Sequence, residues 1–479
     1  MKLMQLLENV VVKEIIGSEH LNISGIAFSS LEVKPGNIFV CISGFKTDGH
    51  DYAEDAIQRG AIAVLAEKDI SDLGVTCIVT DNTRKALAQV AANFYEHPEK
   101  SFCLIGITGT NGKTTTTYLV KSVLESLGKT VGLIGTNQNM IGTEVIPSKH
   151  TTPDSLELMQ LFAKMREKKA DYVVMEVSSH SLSLDRVTAC TFDVGAITNI
   201  TQDHLDFHKT MENYLEAKGI LYKITKSGIV NADDMSASYL LENSKCESML
   251  TYGIENECDM RATNVELSEK GVSFDLTFEN KNYQVELSIP GEFSVYNALT
   301  ALSCLVSAGI SMNDAVNGLK TARGVKGRVE VIETGRGFSV IIDYAHTPDG
   351  LYNVIKTIRG FCKGRIITLF GCGGDRDSDK RPKMGKIAAT LSDYCVVTSD
   401  NPRSEDPEKI IMQIVEGMKD GCEYSVVVNR FSAIECALDM AKQGDVVLLA
   451  GKGHETYQIL ADRTIDFDER EIVNKLLDR

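Results

Sequence analysis

The sequence predicts an α/β protein with three domains, and two observations carry this prediction. Apolar strand-like segments alternate with helix-like segments over residues 102–233, and a second series of the same kind begins near residue 364. Such alternation is typical of mostly parallel sheets covered by helices on both faces. The chain has 479 residues, which is too long for one compact core and indicates two to four domains of ordinary size.

The first domain is predicted over residues 1–98. The opening residues predict a short amphipathic helix that runs into a strand, and strand-like segments follow at IAF, NIFVCI and AIAVLAE. The HPEK segment at 97–100 is a joint between domains, so the second domain is assigned to residues 99–330.

The central domain begins with the strand FCLIGI, a turn TGTNG, an amphipathic helix and the strand TVGLIG. Further strands are predicted in YVVMEV, DVGAITNI and SGIVNAD. The helix has an apolar face at helical spacing, formed by Leu119, Val120, Val123, Leu124 and Leu127. In such a domain, functional groups collect at the carboxyl ends of the strands.

The third domain is predicted over residues 331–479. Its strands are RIITLF, YCVVTS, YSVVVN and DVVLLA, and helices lie between them. Asp406 and Pro407 are the expected N-cap and first residue of one helix. The apolar face of that helix is predicted to contain Ile410, Ile411, Ile414, Val415 and Met418.

Composition excludes several classes of function. The net charge of -16 disfavours non-specific binding to nucleic acid or to an anionic membrane. No apolar run approaches the roughly 18–20 residues of a membrane span. The first residues lack the pattern of a secretion signal, and the 12 cysteines are scattered without a CxxC pair. We therefore expect a cytoplasmic protein with mostly buried thiols and no zinc or iron–sulfur site.

The segment TGTNGKTT at 108–115 is the strongest chemical signal. Backbone N–H groups at a strand-to-helix turn form an anion nest for phosphates. Lys113 is expected to reach the β- and γ-phosphates, and the Thr114 hydroxyl to bind magnesium. The motif departs from the standard pattern because Ile107 stands where a glycine is usual. The predicted ATP-binding residues here are Gly109, Thr110, Asn111, Gly112, Lys113, Thr114 and Thr115.

Three further segments supply candidate ligands at the ends of neighbouring strands. Glu176 closes a strand and either binds a hard cation opposite the phosphate loop or lies in solvent. His204 and His208 are four residues apart, but a zinc site is rejected because HExxH and a third soft ligand are missing. On their own, these histidines are interpreted as hydrogen-bonded structural residues, and Lys218 as a surface lysine.

Ten motifs together resemble a known family. In order they are TGTNGKTTT, HTTPD, EVSSHSL, NITQDHLDFH, YLEAKGILY, GRVE, DYAHTPD, GCGGDRD, SDNPRSEDP and GKGHE. The sequence resembles the Mur ligases of peptidoglycan synthesis over essentially its whole length. It is most similar to the branch that forms the UDP-N-acetylmuramoyl-tripeptide.

The resemblance implies an N-terminal UDP-sugar-binding α/β domain, a central P-loop ATPase domain and a C-terminal Rossmann-like domain that brings the amino acid. ATP would phosphorylate the terminal carboxylate of UDP-N-acetylmuramoyl-L-alanyl-D-glutamate, and the amine of meso-diaminopimelate would then attack the acyl phosphate. The expected partners are these small molecules. A monomer with neither nucleic acid nor membrane insertion is expected.

The resemblance also implies roles for individual residues of the central site. Thr114 and Glu176 would hold one Mg²⁺ and His204 a second, and Lys218 would react with CO₂ to form a carbamate that positions magnesium. The catalytic residues are therefore Lys113, Glu176, His204 and Lys218. Further ATP contacts are implied for Asn297, Arg328, Asp343 and His346.

The UDP-sugar peptide would be bound by residues of the first two domains. The matching positions are Ser30, the SGFKTDGH stretch at 43–50, Thr151, Thr152, Ser178 and Arg186. Two places depart from the family pattern: Ser29, Ser30 and Leu31 replace Asp-Ser-Arg, and Leu184 replaces a common glutamine.

The amino-acid site would lie in the C-terminal domain. Its matching residues are Arg376, Asp400, Asn401, Pro402, Arg403, Gly451 and Glu455. The DNPR sequence matches enzymes that add meso-diaminopimelate, whose second carboxylate a guanidinium can bind in a bidentate manner. Glu455 could receive the far amino group. The alternative for Arg403 is a residue that caps the turn before the next helix, and GCGGDRD is not a dinucleotide motif because it lacks GxGxxG.

Three alternatives remain at this point. The chain could be the lysine-adding version of the same ligase, or a ligase similar to folylpolyglutamate synthetase. In a different class, it could be a nucleotide-binding regulator without catalysis.

Overall fold

The computed structural model describes residues 1–44, 47–148, 150–268, 271–322, 324–419 and 421–478. The described strands form sheets of five, eleven, six and two strands, in that order along the chain. Each of the three larger sheets has helices packed against it. Among the described residues, no helix is both long enough and apolar enough to cross a membrane.

The five-stranded sheet has the order β1-β5-β4-β3-β2, and β1 alone is antiparallel to its neighbour. It contains the strands predicted in the first domain. Its strands are β1 (Glu14–Ile16), β2 (Gly25–Ala27), β3 (Asn37–Val40), β4 (Ala63–Ala66) and β5 (Thr76–Val79). Its helices are α1 (Leu3–Leu6), α2 (Ala53–Gln58) and α3 (Thr83–Phe94).

The eleven-stranded sheet has the order β16-β15-β14-β13-β12-β11-β6-β10-β7-β8-β9. The central strands β14-β13-β12-β11-β6-β10-β7 are parallel to one another. Antiparallel strands extend the sheet at both ends. Its strands are β6 (Cys103–Thr108), β7 (Val131–Ile134), β8 (Asn139–Ile141), β9 (Glu144–Ile146), β10 (Tyr172–Glu176), β11 (Phe192–Ile197), β12 (Thr225–Asn231), β13 (Ser248–Gly253), β14 (Met260–Ser268), β15 (Gly271–Phe278) and β16 (Lys281–Leu287). Its helices are α4 (Lys113–Ser126), α5 (Ser155–Glu167), α6 (Ser179–Ser183), α7 (Leu205–His208), α8 (Met211–Gly219), α9 (Ala237–Glu242), α10 (Glu292–Ser307) and α11 (Met312–Leu319).

The predicted apolar face of α4 is buried in the core of this domain. Leu119, Val120, Val123 and Leu124 are at most 1% exposed. They pack with residues of the central strands and of α10. This burial fixes the helix against the sheet, so its N-terminus stays at the carboxyl end of β6.

The six-stranded sheet has the order β17-β18-β22-β19-β20-β21, parallel except for β17. Asp406 caps α14 by accepting from the Glu408 N–H at 2.9 Å, as predicted. The strands are β17 (Glu330–Glu333), β18 (Ser339–Asp343), β19 (Ile366–Phe370), β20 (Tyr394–Val397), β21 (Glu423–Val426) and β22 (Val446–Ala450), and β23 (Tyr457–Ile459) and β24 (Thr464–Asp466) pair separately. The helices are α12 (Pro348–Arg359), α13 (Lys380–Leu391), α14 (Pro407–Val415), α15 (Arg430–Met440) and α16 (Glu469–Leu477).

Several strands were not assigned from the sequence. They are β5, the hairpin β8–β9, the run β13–β16, the pair β17–β18 and the pair β23–β24. Along β15 and β16, buried side chains alternate with more exposed ones, because one face packs on the core and the other meets solvent. Alternating strands contain polar residues, so they give a weaker signal than the continuous apolar runs of buried parallel strands.

The first two domains share one hydrophobic core. Leu6 and Val90 from the first domain lie in the same cluster as Phe162 and Val173 from the central domain. The HPEK joint forms a short 3-10 helix, Pro98–Lys100, in which Pro98 and Glu99 are buried. The boundaries after residues 98 and 330 stay predictions.

Candidate active site

The phosphate loop joins β6 to α4. Gly112 has a φ of +85°, and a Cβ there would lie 2.4 Å from the Asn297 side-chain oxygen. The Lys113 ammonium donates to the carbonyl oxygens of Gly109 and Thr110, both at 2.9 Å. Burial lowers the pKa of Lys113, against the opposing charges of Glu176 and Asp203. The lysine therefore lies inside its own loop, where a phosphate could replace the carbonyl partners.

Glu176 lies at the end of β10, facing the loop, and is 0% exposed. Its carboxylate accepts from Thr114 Oγ1 at 3.0 Å, and from the N–H and hydroxyl of Thr136 at 2.9 and 3.0 Å. Thr136 was not predicted from the sequence. In the described part of the chain, no cationic side chain forms a salt bridge with this carboxylate. A buried carboxylate held only by neutral donors, beside a threonine hydroxyl, fits a Mg²⁺ ion.

Lys218 is not a surface lysine. It lies on α8, is 1% exposed, and donates to the Gly109 carbonyl at 2.7 Å. Its ammonium also lies 4.7 Å from the centre of the Tyr214 ring. Burial, and then the charge of Lys113, lower the pKa of Lys218 well below its usual value. The structure thus brings a lysine that loses its proton readily to the back of the phosphate loop.

His204 precedes α7 with a φ of +54°, and its Nε2 lies 3.4 Å from Asp203 Oδ2. Burial lowers the pKa of His204 to about 4, so the ring is a neutral donor of a lone pair. Burial opposes ionisation of Asp203, but His204, His346 and Lys113 outweigh it and lower the pKa of that carboxyl. His208 instead forms a buried 2.9 Å hydrogen bond with the Ser179 hydroxyl.

One cleft of about 570 Å³ contains all four predicted catalytic residues. Its walls come from the central and C-terminal domains. The cleft is also lined by the other residues predicted to contact ATP, which are Asn297, Arg328, Asp343 and His346. Arg328 donates to Thr114 Oγ1 at 3.2 Å and stacks on the Tyr344 ring at 4.5 Å.

Asp349 connects the two walls of the cleft and was missed from the sequence. Its Oδ2 accepts from Asn111 Nδ2 at 2.6 Å and from the Thr201 hydroxyl at 3.2 Å. Asp349 lies in the first turn of α12, whereas both donors belong to the central domain. Its place in the DYAHTPD motif was visible, but a partner 238 residues away was not.

The predicted UDP-sugar residues fall into two places. Thr152 accepts from the Ser178 N–H at 2.9 Å, and Arg186 donates to the Thr152 carbonyl at 2.9 Å. Thr151 contacts Thr136 at 3.0 Å, so these four residues lie beside Glu176. Ser30 lies on the first domain, outside the residues that line the cleft. In the 43–50 stretch, residues 45 and 46 lie outside the described residues.

The predicted amino-acid residues lie in the loops after β19, β20 and β22. Parallel strands bring these loops to one edge of the sheet. Arg403 Nη1 donates to the Gly374 carbonyl at 2.8 Å, and Asn401 Nδ2 donates to Glu455 Oε2 at 2.9 Å. Arg376 lies against Gly373, and Pro402 lies against Gly374. Asp400 lies against Gly451.

These loops are held by two residues that the sequence analysis missed. Arg381 donates to both oxygens of Glu405 at 2.9 Å, and Glu405 also accepts from the Asp375 N–H. Lys452 is fully buried and donates to Asn401 Oδ1 at 3.0 Å. Lys452 adjoins the predicted Gly451 and Arg381 lies five residues after the predicted Arg376, but only the fold shows that they connect the loops.

Comparison with known proteins shows the family of this chain. Three family descriptions match the chain: "Mur ligase family, catalytic domain" over residues 22–95, "Mur ligase middle domain" over 107–305, and "Mur ligase, glutamate ligase domain" over 327–453. The chain is 49% identical to the UDP-N-acetylmuramoyl-L-alanyl-D-glutamate–2,6-diaminopimelate ligase of Caldanaerobacter subterraneus subsp. tengcongensis, covering 100% of this chain and 99% of that protein.

Two further relatives cover the chain as fully. A protein of Clostridium acetobutylicum, named as ligase 1 of the same activity, is 48% identical over 100% of this chain and 99% of its own length. A solved structure of a ligase of this name is 30% identical, with a TM-score of 0.72, and covers 100% of this chain and 99% of its own. The chain therefore belongs to the Mur ligase family. The predictions of a three-domain α/β fold and of a ligase are confirmed.

Proposed function

We propose that this protein uses ATP to join meso-diaminopimelate to UDP-N-acetylmuramoyl-L-alanyl-D-glutamate, a step of peptidoglycan precursor synthesis. The observation that carries the proposal is one cleft in which Lys113, Glu176, His204 and Lys218 meet a wall from the C-terminal domain. Full-length relatives at 48–49% identity are named for this ligation.

The reaction needs an activated carboxylate, because a carboxylate oxygen is a poor leaving group. The substrate carboxylate attacks the γ-phosphorus of ATP, which gives an acyl phosphate and ADP. The amino group then attacks the acyl carbon, and the tetrahedral intermediate releases phosphate. Lys113 and Arg328 concentrate positive charge where both anionic reactants meet, and Asn297 lies where it can contact the nucleotide.

Magnesium would be held by Thr114 and Glu176, with His204 as a ligand of a second ion. A bound ion there would neutralise phosphate charge. The protein's own part is to hold these ligands: Thr136 orients both oxygens of Glu176, and Arg328 reaches the Thr114 hydroxyl. The oxygen-rich set favours a hard cation over zinc.

Lys218 would be carbamylated. A neutral amine attacks CO₂, forming an N–C bond and releasing a proton, and burial favours the neutral amine because it lowers the pKa of Lys218. The product is a carboxylate-like anion in the place of the buried amine. Such an anion would position magnesium beside the phosphate loop.

The substrates would enter from two sides. Thr151, Thr152, Ser178 and Arg186 would hold the peptide end of the UDP-sugar, and Ser30 its nucleotide end. Arg403 would pair with the far carboxylate of diaminopimelate and Glu455 with its far ammonium. We further propose a cytoplasmic monomer that binds no nucleic acid, in agreement with the net charge of -16.

The direct test is phosphate release with ATP, Mg²⁺ and UDP-N-acetylmuramoyl-L-alanyl-D-glutamate, comparing meso-diaminopimelate with L-lysine. We expect release that requires the UDP-dipeptide and strongly prefers diaminopimelate. A preference for lysine would leave the ligase in place and contradict the specificity. Release that needs a folate substrate, or none with any substrate, would overturn the proposal.

Replacing Arg403 by alanine should weaken the preference for diaminopimelate over lysine. The guanidinium is the proposed partner of the carboxylate that lysine lacks, and a lost charged hydrogen bond costs roughly 1–3 kcal/mol. The ratio of the two kcat/KM values measures this loss. Arg463→Ala, an exposed arginine of the same domain, is the control. An unchanged ratio would assign specificity to other residues.

A further inference from the structure

Lys452 is a fully buried lysine to which the proposed reaction gives no role. It follows β22 at the carboxyl edge of the C-terminal sheet, and its side chain is 0% exposed. Its ammonium donates to the Tyr457 carbonyl at 2.7 Å and to Asn401 Oδ1 at 3.0 Å. Burying an ammonium costs free energy unless hydrogen bonds and opposite charges compensate it. The hydrogen-bond and charge partners of Lys452 therefore indicate its role.

The first effect of Lys452 is on the orientation of Asn401. Two donors converge on Asn401 Oδ1, the Lys452 ammonium at 3.0 Å and the Ile459 N–H at 2.9 Å. The amide nitrogen on the other side donates to Glu455 Oε2 at 2.9 Å. Because two donors hold the oxygen, the amide cannot turn over without losing both. The orientation of the Asn401 amide in turn fixes the position of the Glu455 carboxylate.

The second effect is on charge. Lys452 lies 3.5 Å from Asp400 Oδ1 and 3.3 Å from Glu455 Oε2, two carboxylates that are 9% and 13% exposed. With Arg376 and Arg403, Lys452 places three cations at the site, beside the carboxylates of Asp375, Asp400 and Glu455. A ligand end that has both a carboxylate and an ammonium finds partners of both signs. A lone ammonium brings no carboxylate to pair with these cations, which disfavours it.

We propose that Lys452 is a positioning residue of the amino-acid site, which fixes Asn401 and Glu455 and makes the site select a zwitterionic side-chain end over a single positive charge. This inference rests on the proposed function. It assigns to Lys452 no contact with the reacting atoms. Its effect is confined to the amino-acid substrate.

The test is Lys452→Met, which keeps an unbranched apolar side chain and removes the charge. The KM for meso-diaminopimelate should rise by about tenfold or more, the scale of a lost charged hydrogen bond. The KM values for ATP and the UDP-dipeptide should stay within about twofold, because Lys452 is neither among the residues that line the cleft nor among the predicted UDP-sugar residues. The kcat/KM ratio of diaminopimelate to lysine should fall. Lys442→Met, an exposed lysine of the same domain, should behave as the unsubstituted protein.

Two results would overturn the inference. One is a loss of kcat with all three KM values unchanged, and the other is an unchanged preference between the two amino acids, since both indicate a purely structural lysine. Thermal unfolding of each variant checks that it folds. If Lys452→Met does not fold, Lys452→Gln is tested instead, because it removes the charge and keeps a polar side chain. The same fall in the preference for diaminopimelate over lysine is expected. No phosphate release by the unsubstituted protein with either amino acid would overturn the proposed function itself.

Discussion

Replacing Lys113 by alanine is expected to abolish ligation, with a loss of about 10²–10³-fold or more in kcat. In the structure the Lys113 ammonium is held by two carbonyl oxygens of its own loop, 2.9 Å from each. In the proposed reaction, Lys113 is the cation that stabilises charge on the transferred phosphoryl group. Phosphate release under saturating substrates measures the effect.

The control for this prediction is Lys129→Ala, an exposed lysine that follows the same helix. It should keep normal turnover, because it is outside the cleft. Thermal unfolding should show that Lys113→Ala is folded, since the loop loses only two hydrogen bonds of its lysine. Near-normal turnover of Lys113→Ala would refute the assignment of the phosphate loop.

Replacing Lys218 by alanine is expected to lower kcat by about 100-fold or more, the upper range for groups that position a metal ligand or metal. The buried amine contacts the Gly109 carbonyl and lies above Tyr214, and the structure gives it no ion pair among the described residues. If the amine forms a carbamate, its loss removes an anion from the magnesium site. The measurement is kcat as a function of magnesium concentration.

A chemical rescue separates a carbamate from a structural lysine. Added acetate or formate should restore part of the activity of Lys218→Ala, because a short carboxylate can occupy the vacated space. Lys223→Ala, an exposed lysine shortly after α8, should lose little activity and show no rescue. Activity that is indifferent to the Lys218 substitution would remove this residue from the site. A loss without any rescue would contradict the carbamate.

The sequence predicted much of the site because its signals are local. The turn from β6 into α4 follows from one glycine-rich segment, and Asp406 was identified as an N-cap from its own helix alone. The central parallel strands were predicted because buried strands are continuous apolar runs. The roles of the individual site residues stay predictions that the experiments above test.

Lys218 shows where local reasoning fails. Its sequence surroundings, NYLEAKGILY, are those of an ordinary helix, and without the family resemblance it was interpreted as a surface residue. The fold buries it behind Gly109, which is 109 positions earlier in the chain. The electrostatic state of a side chain depends on its neighbours in space, and these come from distant segments.

The sequence by itself determined the α/β class, the order of the three domains and the family. Those properties depend on hydrophobic periodicity and on short motifs in a fixed order, which are present in the chain before it folds. Only the tertiary structure decided that Asp349 connects the two walls of the cleft, that Thr136 orients Glu176 and that Lys452 holds Asn401. The physical reason is that hydrogen bonds and charge compensation act over about 3 Å, whatever the separation along the chain.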